Sequence, residues 1–136
     1  MRALGVDFGE KRIGVAVSDP SGLITQTWGI IERTSDRQAA QRVAALAAEL
    51  GAQVIVVGLP ADAGAEEGFQ ARRTRRFAEQ LRQETPLPVT FWDESLSSQD
   101  AEALVRARRP RAGRRRLDAV AAAIMLQSYL DGRREG

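Results

Sequence analysis

The sequence predicts an α/β fold in which helices flank a mixed central sheet. Three strand-like segments open the chain and are joined by short turns, which is the pattern of an antiparallel meander. Amphipathic helical segments then alternate with short apolar segments, which is the pattern of parallel strands joined by crossovers. The chain has 136 residues and neither an internal repeat nor a linker, so we expect a single domain over 1–136.

The three strands of the meander are expected near residues 2–8, 12–18 and 23–32, with the turn 19–22 before the third. Successive residues of a strand point to opposite faces. In the first strand one face is therefore apolar, and the other carries Asp7 among Ala and Gly. Such a face leaves room for a packed helix, a ligand or a hydrated metal ion.

The rest of the chain is expected to run helix, strand, helix, strand, helix, helix. Thr34 or Ser35 should cap the first of these helices, which Gly51 ends. The apolar run at 53–60 indicates a strand that is buried on both faces. The later elements are expected as a helix over 68–84, a short strand at 88–92, a helix over 98–107 and a last helix over 115–131, which Gly132 ends.

The spacing of apolar residues also predicts the inward faces of two later helices. In the helix over 68–84, we expect Phe69, Phe77 and Leu81 to point inward. Consecutive alanines make the middle of the last helix thin enough to lie close to the sheet, and its expected packing face is Leu117, Val120, Ala121 and Ile124.

The two tryptophans, Trp28 and Trp92, could stack on a base of a nucleic acid. Because the chain has so few aromatic residues, we expect them to pack in the core instead.

The composition excludes several kinds of active site. The chain has no Cys and no His, which excludes disulfide frameworks, thiolate nucleophiles, Ser-His triads and the usual zinc sites. Hydrolysis would then depend on carboxylates or a metal-bound water. No apolar run approaches the length of a membrane span, and charged residues interrupt the N-terminal segment, so a cytoplasmic protein is expected.

Acidic residues lie in segments that can come together in a site based on carboxylates or a metal-bound water. Asp7 lies in the first strand, Asp93 and Glu94 lie at the end of a central strand, and Asp118 lies near the start of the last helix. Each acid also has a structural explanation. Asp7 could cap a turn or be a surface acid, and Asp93 or Glu94 could simply precede a helix that Ser97 caps. Asp118 could favour the positive end of the helix dipole. Hard oxygen ligands without nitrogen or sulfur suit Mg²⁺ or Mn²⁺, so their convergence would indicate a metal site.

Nearly all the positively charged residues of the chain are arginines, and Lys11 is the sole lysine. The guanidinium group of arginine binds phosphate in a bidentate manner. An arginine-rich loop directly precedes Asp118, so we expect it to overhang the site and clamp a phosphate backbone. A solvated charge run is the alternative. The seven arginines between 106 and 116 are Arg106, Arg108, Arg109, Arg111, Arg114, Arg115 and Arg116.

Two smaller groups of basic residues are further candidates for phosphate contact. Lys11 and Arg12 lie in the turn after Asp7, although a hairpin turn is also a normal place for charge. Four arginines near the start of the helix over 68–84 can contact phosphate or only solvent: Arg72, Arg73, Arg75 and Arg76.

Taken together, four ordered motifs resemble the YqgF family, also called RuvX, whose members are bacterial proteins of the ribonuclease H-like fold. The opening GVDFGEKRIGVAVSD matches the first motif of the family, and VVGLP matches the second, together with the Gly and Arg72 that follow in GFQARRTRRFAEQL. WDES matches the third motif and LDAVAAAIMLQSYL the last. The resemblance covers nearly the whole chain. One departure is Ser95, where the family usually has Arg.

The resemblance implies a metal-dependent nuclease with a single ribonuclease H-like domain. It implies that Asp7, Glu94 and Asp118 are the catalytic carboxylates and hold one or two Mg²⁺ or Mn²⁺ ions, with Glu94 rather than Asp93 as the second ligand. It implies nucleic acid as the partner, either precursor 16S rRNA trimmed at its 5′ end or branched DNA such as a Holliday junction. Because no long apolar stripe remains for an interface, a monomer is expected, and RNA processing is the preferred function.

Two other classes of protein share part of this pattern. A sugar-kinase or actin-like ATPase also opens with a strand, an Asp and a hairpin, but such proteins close two lobes over ATP and this chain has length for one. A non-catalytic nucleic-acid-binding module is the other alternative, which Ser95 favours and the three intact carboxylates oppose.

Overall fold

The computed structural model describes residues 1–60, 68–94 and 113–135, and within these ranges every side chain except those of 94, 113–118 and 134–135. The helix expected at 98–107 lies outside the described residues. Within the described ranges, no helix is both long enough and apolar enough to cross a membrane.

The described residues form five strands and three helices. In chain order they are β1 (Ala3–Phe8), β2 (Arg12–Ser18), β3 (Thr25–Glu32), α1 (Asp36–Leu50), β4 (Val54–Pro60), α2 (Phe69–Glu84), β5 (Val89–Glu94) and α3 (Gly113–Glu135).

The five strands form one sheet in the order β3-β2-β1-β4-β5. Strand β2 pairs antiparallel with β1 and β3, whereas β4 pairs parallel with β1 and β5. The predicted mixed sheet, with a meander on one side and parallel strands on the other, is confirmed. Because β1, β4 and β5 run in the same direction, their C-terminal ends meet at one end of the sheet, which we call the carboxyl end.

Local signals in the sequence set the limits of α1 and β4 as predicted. The side chain of Ser35 accepts a hydrogen bond of 3.1 Å from the backbone N–H of Gln38, which caps the helix. Gly51 ends the helix in the left-handed conformation, with φ of 72°. In β4, the residues from Val54 to Leu59 are buried, as expected for a strand covered on both faces.

Helices cover both faces of the sheet. Leu4, Val6 and Phe8 of β1 belong to a core shared with α1 and α2. On the opposite face, Ala3 belongs to a second core that includes Ala122 and Leu126 of α3. The small residues of β1 therefore face α3, so the room that they leave is taken largely by a helix.

Two predicted aromatic contacts are wrong. Phe69 is 61% exposed rather than inward. The buried side of α2 consists of Ala71, Thr74, Phe77, Ala78 and Leu81, and at 3.6 residues per turn Phe69 lies roughly 140° from its centre. Trp28 is also exposed, at 44%, because β3 is an edge strand and its register with β2 shifts beside this residue. Trp92 is partly buried against α3, as expected.

The predicted end of α3 is also wrong, because the helix continues past Gly132 to Glu135. Gly132 instead makes room for Trp92: a Cβ at this position would lie 2.8 Å from the ring. The predicted packing face is out of phase as well. The buried side chains are those of Ala119, Ala122, Met125, Leu126, Tyr129 and Leu130, whereas Val120, Ala121 and Ile124 are half-buried.

Candidate active site

Asp7 lies near the end of β1, at the carboxyl end of the sheet. It pairs in register with Gly14 of β2, and its side chain is half-buried. Gly5, two residues earlier on the same face, contacts α3 so closely that a Cβ there would lie 2.8 Å from Cβ of Leu126 and 3.3 Å from the carbonyl oxygen of Ala122. Asp7 thus shares the face that α3 covers.

The direction of α3 follows from three contacts along β1. Its C-terminal part lies at the start of β1, where Arg133 contacts the sulfur of Met1 at 3.8 Å and Leu130 approaches Gly22, which packs on Met1. Its middle lies over Gly5. The helix therefore runs antiparallel to β1, and its N-terminal part, which contains position 118, extends toward the carboxyl end.

The register of β5 separates the two candidate acids at its end. Trp92 faces α3, since its Nε1 donates to Oγ of Ser128 at 3.1 Å and its ring meets Tyr129 edge-on at 5.6 Å. Phe91 packs on the core of the opposite face. By strand alternation, position 94 shares the face of Trp92 and of Asp7, whereas Asp93 shares the face of Phe91.

The carboxyl end brings these backbone positions near one another. Val6 pairs with Val57, and Gly58 pairs with Trp92, so Asp7 is level with Trp92 and position 94 lies two residues beyond that level. Two strand spacings, about 10 Å, separate β1 from β5. Among the side chains that the structure describes, no three acids form a metal cluster; those of Glu94 and Asp118 are outside that set.

The hairpin between β1 and β2 brings Lys11 and Arg12 to the same end. The hairpin is tight, because a Cβ on Gly9 would collide with the carbonyl oxygen of Arg12. Arg33 holds it in place: its backbone N–H donates to the carbonyl of Lys11 at 2.9 Å, and its Nη1 donates to that of Glu10 at 3.0 Å. Lys11 is exposed and Arg12 is half-buried.

The start of α2 reaches the carboxyl end as well. Nε2 of Gln70 donates a 3.4 Å hydrogen bond to the carbonyl oxygen of Phe8, the residue after Asp7. Arg72, two residues further along α2, is exposed. Arg82 of α2 is a further arginine that the sequence analysis did not single out. It lies seven residues, or two helical turns, after Arg75, and this spacing could have indicated that the two arginines share one face of the helix.

The arginine-rich segment is described only in part. Arg109 and Arg111 lie outside the described residues, while Arg114, Arg115 and Arg116 form the first turn of α3 rather than a loop, and their side chains are outside the description. No acid accompanies them in that turn. Because a helix N-terminus carries partial positive charge, three arginines there oppose helix stability.

The sequence of this chain is similar to those of known proteins over most of its length. Residues 1–132 match the model of the family described as RuvX: Holliday junction resolvase. A protein of Syntrophomonas wolfei named "Putative pre-16S rRNA nuclease" is 42% identical over 134 residues, which is 97% of this chain and 95% of that protein. One of Geobacillus kaustophilus with the same name is 44% identical over 138 residues, covering 98% of this chain and all of that protein.

Two solved structures share the fold. RuvC of T. thermophilus, in complex with a Holliday junction substrate, superposes with a TM-score of 0.61 at 16% identity, covering 99% of this chain and 96% of that one. The Fowlpox virus resolvase, in complex with Holliday junction DNA, superposes with a TM-score of 0.58 at 13% identity, covering 98% and 99%.

These matches confirm the ribonuclease H-like fold that the sequence motifs predicted, and with the family they confirm the expected enzyme class, a nuclease. The match at 1–132 and the relatives above 40% identity extend over nearly the whole chain. The chain therefore belongs to the RuvX family.

Proposed function

We propose that this chain is a divalent-metal-dependent nuclease that trims the 5′ end of pre-16S rRNA, with residues 1–136 acting as one nuclease domain. The observation that carries the proposal is that β1, β5 and the N-terminal part of α3 all extend to the carboxyl end of the sheet. In this proposal they bring Asp7, Glu94 and Asp118 together there. The relatives' name supports the choice of substrate.

The donor set fits Mg²⁺ or Mn²⁺. The chain offers neither imidazole nor thiolate, so a site here consists of carboxylate and water oxygens, which these hard cations prefer. In this proposal Asp7, Glu94 and Asp118 hold one or two ions. Bound there, the metal would activate water for attack on phosphorus and stabilise the leaving 3′ oxygen.

The protein itself contributes position and charge. The rigid strand β1 fixes Asp7 between its neighbours β2 and β4, so this carboxylate is presented without a large loss of chain entropy. Helix α3 lies against Gly5, and this contact sets how closely the helix approaches the sheet.

Phosphate contacts in this proposal come from basic residues around the carboxyl end. Lys11 and Arg12 lie in a hairpin that Arg33 holds rigid, and Arg72 lies near the start of α2. The first turn of α3 adds Arg114, Arg115 and Arg116, whose cost to helix stability is the kind of local conflict that functional sites retain. Arg109 and Arg111 belong to the same basic segment.

Cleavage of a Holliday junction is the second candidate. It is favoured by the family description and by three exposed apolar side chains in or just before β3, namely Leu23, Ile24 and Trp28, which are 51%, 69% and 44% exposed. Paired cuts in a junction require two active sites related by symmetry, and exposed apolar side chains can contribute to such a dimer interface. We nevertheless propose a monomer acting on RNA, because helices cover both broad faces of the sheet.

A comparison of two substrates tests this choice. The protein is incubated with Mn²⁺ and either a 5′-extended 16S rRNA precursor or a four-way DNA junction, and its molar mass is measured by light scattering under the same conditions. The proposal expects a monomer that shortens the RNA. A stable dimer that makes symmetric paired nicks in the junction and leaves the RNA intact would establish the second candidate instead.

A further inference from the structure

The outer side of α2 carries a row of arginines beside the edge strand β5. We call this row the α2 ridge; it consists of Arg72, Arg75, Arg76 and Arg82, all of which are exposed. Glu79 is the acid among them, and it forms an ion pair with Arg82. From Arg72 to Arg82 the helix rises about 15 Å.

Two arginines of the ridge are held in fixed positions by Phe91 of β5. The guanidinium carbons of Arg75 and Arg82 lie 5.0 and 5.3 Å from the centroid of its ring. Nη2 of Arg82 also donates a 3.0 Å hydrogen bond to the carbonyl oxygen of Val89. A guanidinium that stacks on a ring keeps N–H groups at its rim for an anion, and a side chain that is already ordered loses less entropy on binding.

The ridge starts at the candidate active site and leads away from it. Gln70 bonds to the carbonyl of Phe8 at the carboxyl end, so the first turn of α2 lies beside the end of β1. Arg82 lies at the opposite end of the sheet, beside Val89 at the start of β5. Successive phosphates of a duplex strand are about 3.4 Å apart along the axis, so the ridge spans about four of them.

We propose that the α2 ridge binds the phosphate backbone of a duplex arm of the substrate that flanks the cleaved bond. The inference rests on the proposed nuclease function and extends its interface beyond the carboxyl end. A duplex suits the ridge better than a single strand, because the ring of Phe91 is covered by guanidinium groups and is not available for stacking on bases. Phosphate contacts of this kind do not depend on sequence.

The test compares two charge-matched variants of the full chain. The ridge variant is Arg75→Gln with Arg76→Gln, and the control is Arg37→Gln with Arg42→Gln, two exposed arginines of α1. Both are made in an Asp7→Asn background, so that bound substrate is not cut. Binding to an RNA hairpin with a duplex stem, a DNA duplex of the same sequence and a single-stranded RNA is measured by fluorescence anisotropy at several salt concentrations.

We expect the ridge variant to bind the duplexes about five- to twentyfold more weakly than the background protein. The slope of log affinity against log salt should fall by up to about 0.9 for each phosphate that the ridge no longer neutralises. The control should change affinity less than about twofold. An equal loss of affinity in both variants, or a loss in the ridge variant that is confined to the single strand, would overturn the proposal.

A third variant separates a positioned arginine from mere charge. Phe91→Leu keeps bulk at the core but removes the ring on which Arg75 stacks. It should weaken duplex binding in the background protein and have a smaller effect once Arg75 is Gln, because only Arg82 then remains to stack on the ring; a double-mutant cycle measures the difference. An undiminished effect in the absence of Arg75 would contradict the role of the stack.

Cleavage by the unmodified protein is scored separately, so the two proposals fail independently. If the ridge variant binds duplexes more weakly but the parent chain cleaves nothing, the proposed binding surface stands and the nuclease function is rejected. If the parent chain cleaves the substrate but the ridge variant binds as tightly as the background protein, the α2 ridge is rejected as a binding surface and the nuclease function stands.

Discussion

Gly5 of β1 and Leu126 of α3 approach so closely that a Cβ on the glycine would lie 2.8 Å from Cβ of the leucine. This close approach fixes the height of α3 above the sheet, and therefore the height of position 118 near the carboxyl end. A residue with no side chain thus sets how closely the helix that carries position 118 packs on β1.

Replacement of this glycine should affect both stability and activity. We expect Gly5→Ala to lower the free energy of unfolding by about 1–3 kcal/mol, because α3 must shift outward, and to reduce the cleavage rate as position 118 moves with it. Gly51→Ala is the control: it strains a left-handed cap by about 1 kcal/mol, far from the site. Urea unfolding and cleavage rates check both variants. A Gly5→Ala protein that is destabilised but fully active would show that α3 does not position the site.

The turn between β2 and β3 predicts a pH dependence of stability. Oδ1 of Asp19 accepts hydrogen bonds from the backbone N–H groups of Leu23 and Ile24, at 2.8 and 3.0 Å, and its other oxygen accepts one from the hydroxyl of Ser21. The hydrogen bond from Ile24, followed by that from Ser21, lowers the pKa of Asp19 far below its ordinary value of 3.8. A carboxylate with a lowered pKa stabilises the folded state above its unfolded pKa, and the contribution is lost as the pH falls below that value.

Asp19→Asn should therefore be less stable than the parent chain at pH 7, and the difference should shrink steadily below about pH 4. Urea unfolding at pH 7, 4 and 3 measures it. Glu49→Gln, at an exposed position of α1, controls for the loss of one negative charge. A deficit of the same size at pH 7 and pH 3 would contradict the charged hydrogen bonds as its cause.

The first turn of α3 offers a prediction in which stability and function move in opposite directions. Replacing Arg114, Arg115 and Arg116 together with Ala should raise stability by about 1 kcal/mol, because positive charge is removed from a helix N-terminus. It should weaken nucleic-acid binding about equally across sequences and lower the salt slope by up to about one unit for each phosphate that these side chains neutralise. An unchanged salt slope would mean that these arginines are only solvated charge.

The pattern of the sequence predicted the sheet well because its signals are local. Alternation in β1, the Ser35 cap and the left-handed Gly51 each depend on a few adjacent residues, and the structure retains them. The short turns of the meander likewise leave antiparallel pairing as the simplest arrangement of the first three strands.

The errors concern features that depend on a distant partner. Glycine is common at helix ends, which is why Gly132 predicts one. The position requires a glycine for a different reason, because the ring of Trp92 in β5 packs against it. The choice between Asp93 and Glu94, which strand alternation in the sequence left open, likewise depends on a distant contact, because the contact of Trp92 with Ser128 sets the phase of β5. The hydrophobicity of Phe69 predicts an inward position, whereas its angle on α2 turns it outward.

The most direct test of the proposed site is cleavage of the RNA precursor by single isosteric variants in the presence of Mn²⁺ or Mg²⁺. We predict that Asp7→Asn, Glu94→Gln and Asp118→Asn each give a folded protein, judged by circular dichroism, with activity reduced about a hundredfold or more. Asp93→Asn, one residue from Glu94 and on the opposite face by alternation, should keep its activity, and EDTA should abolish that of the parent chain. Full activity of Glu94→Gln with loss in Asp93→Asn, or cleavage that persists in EDTA, would contradict the proposed carboxylate metal site.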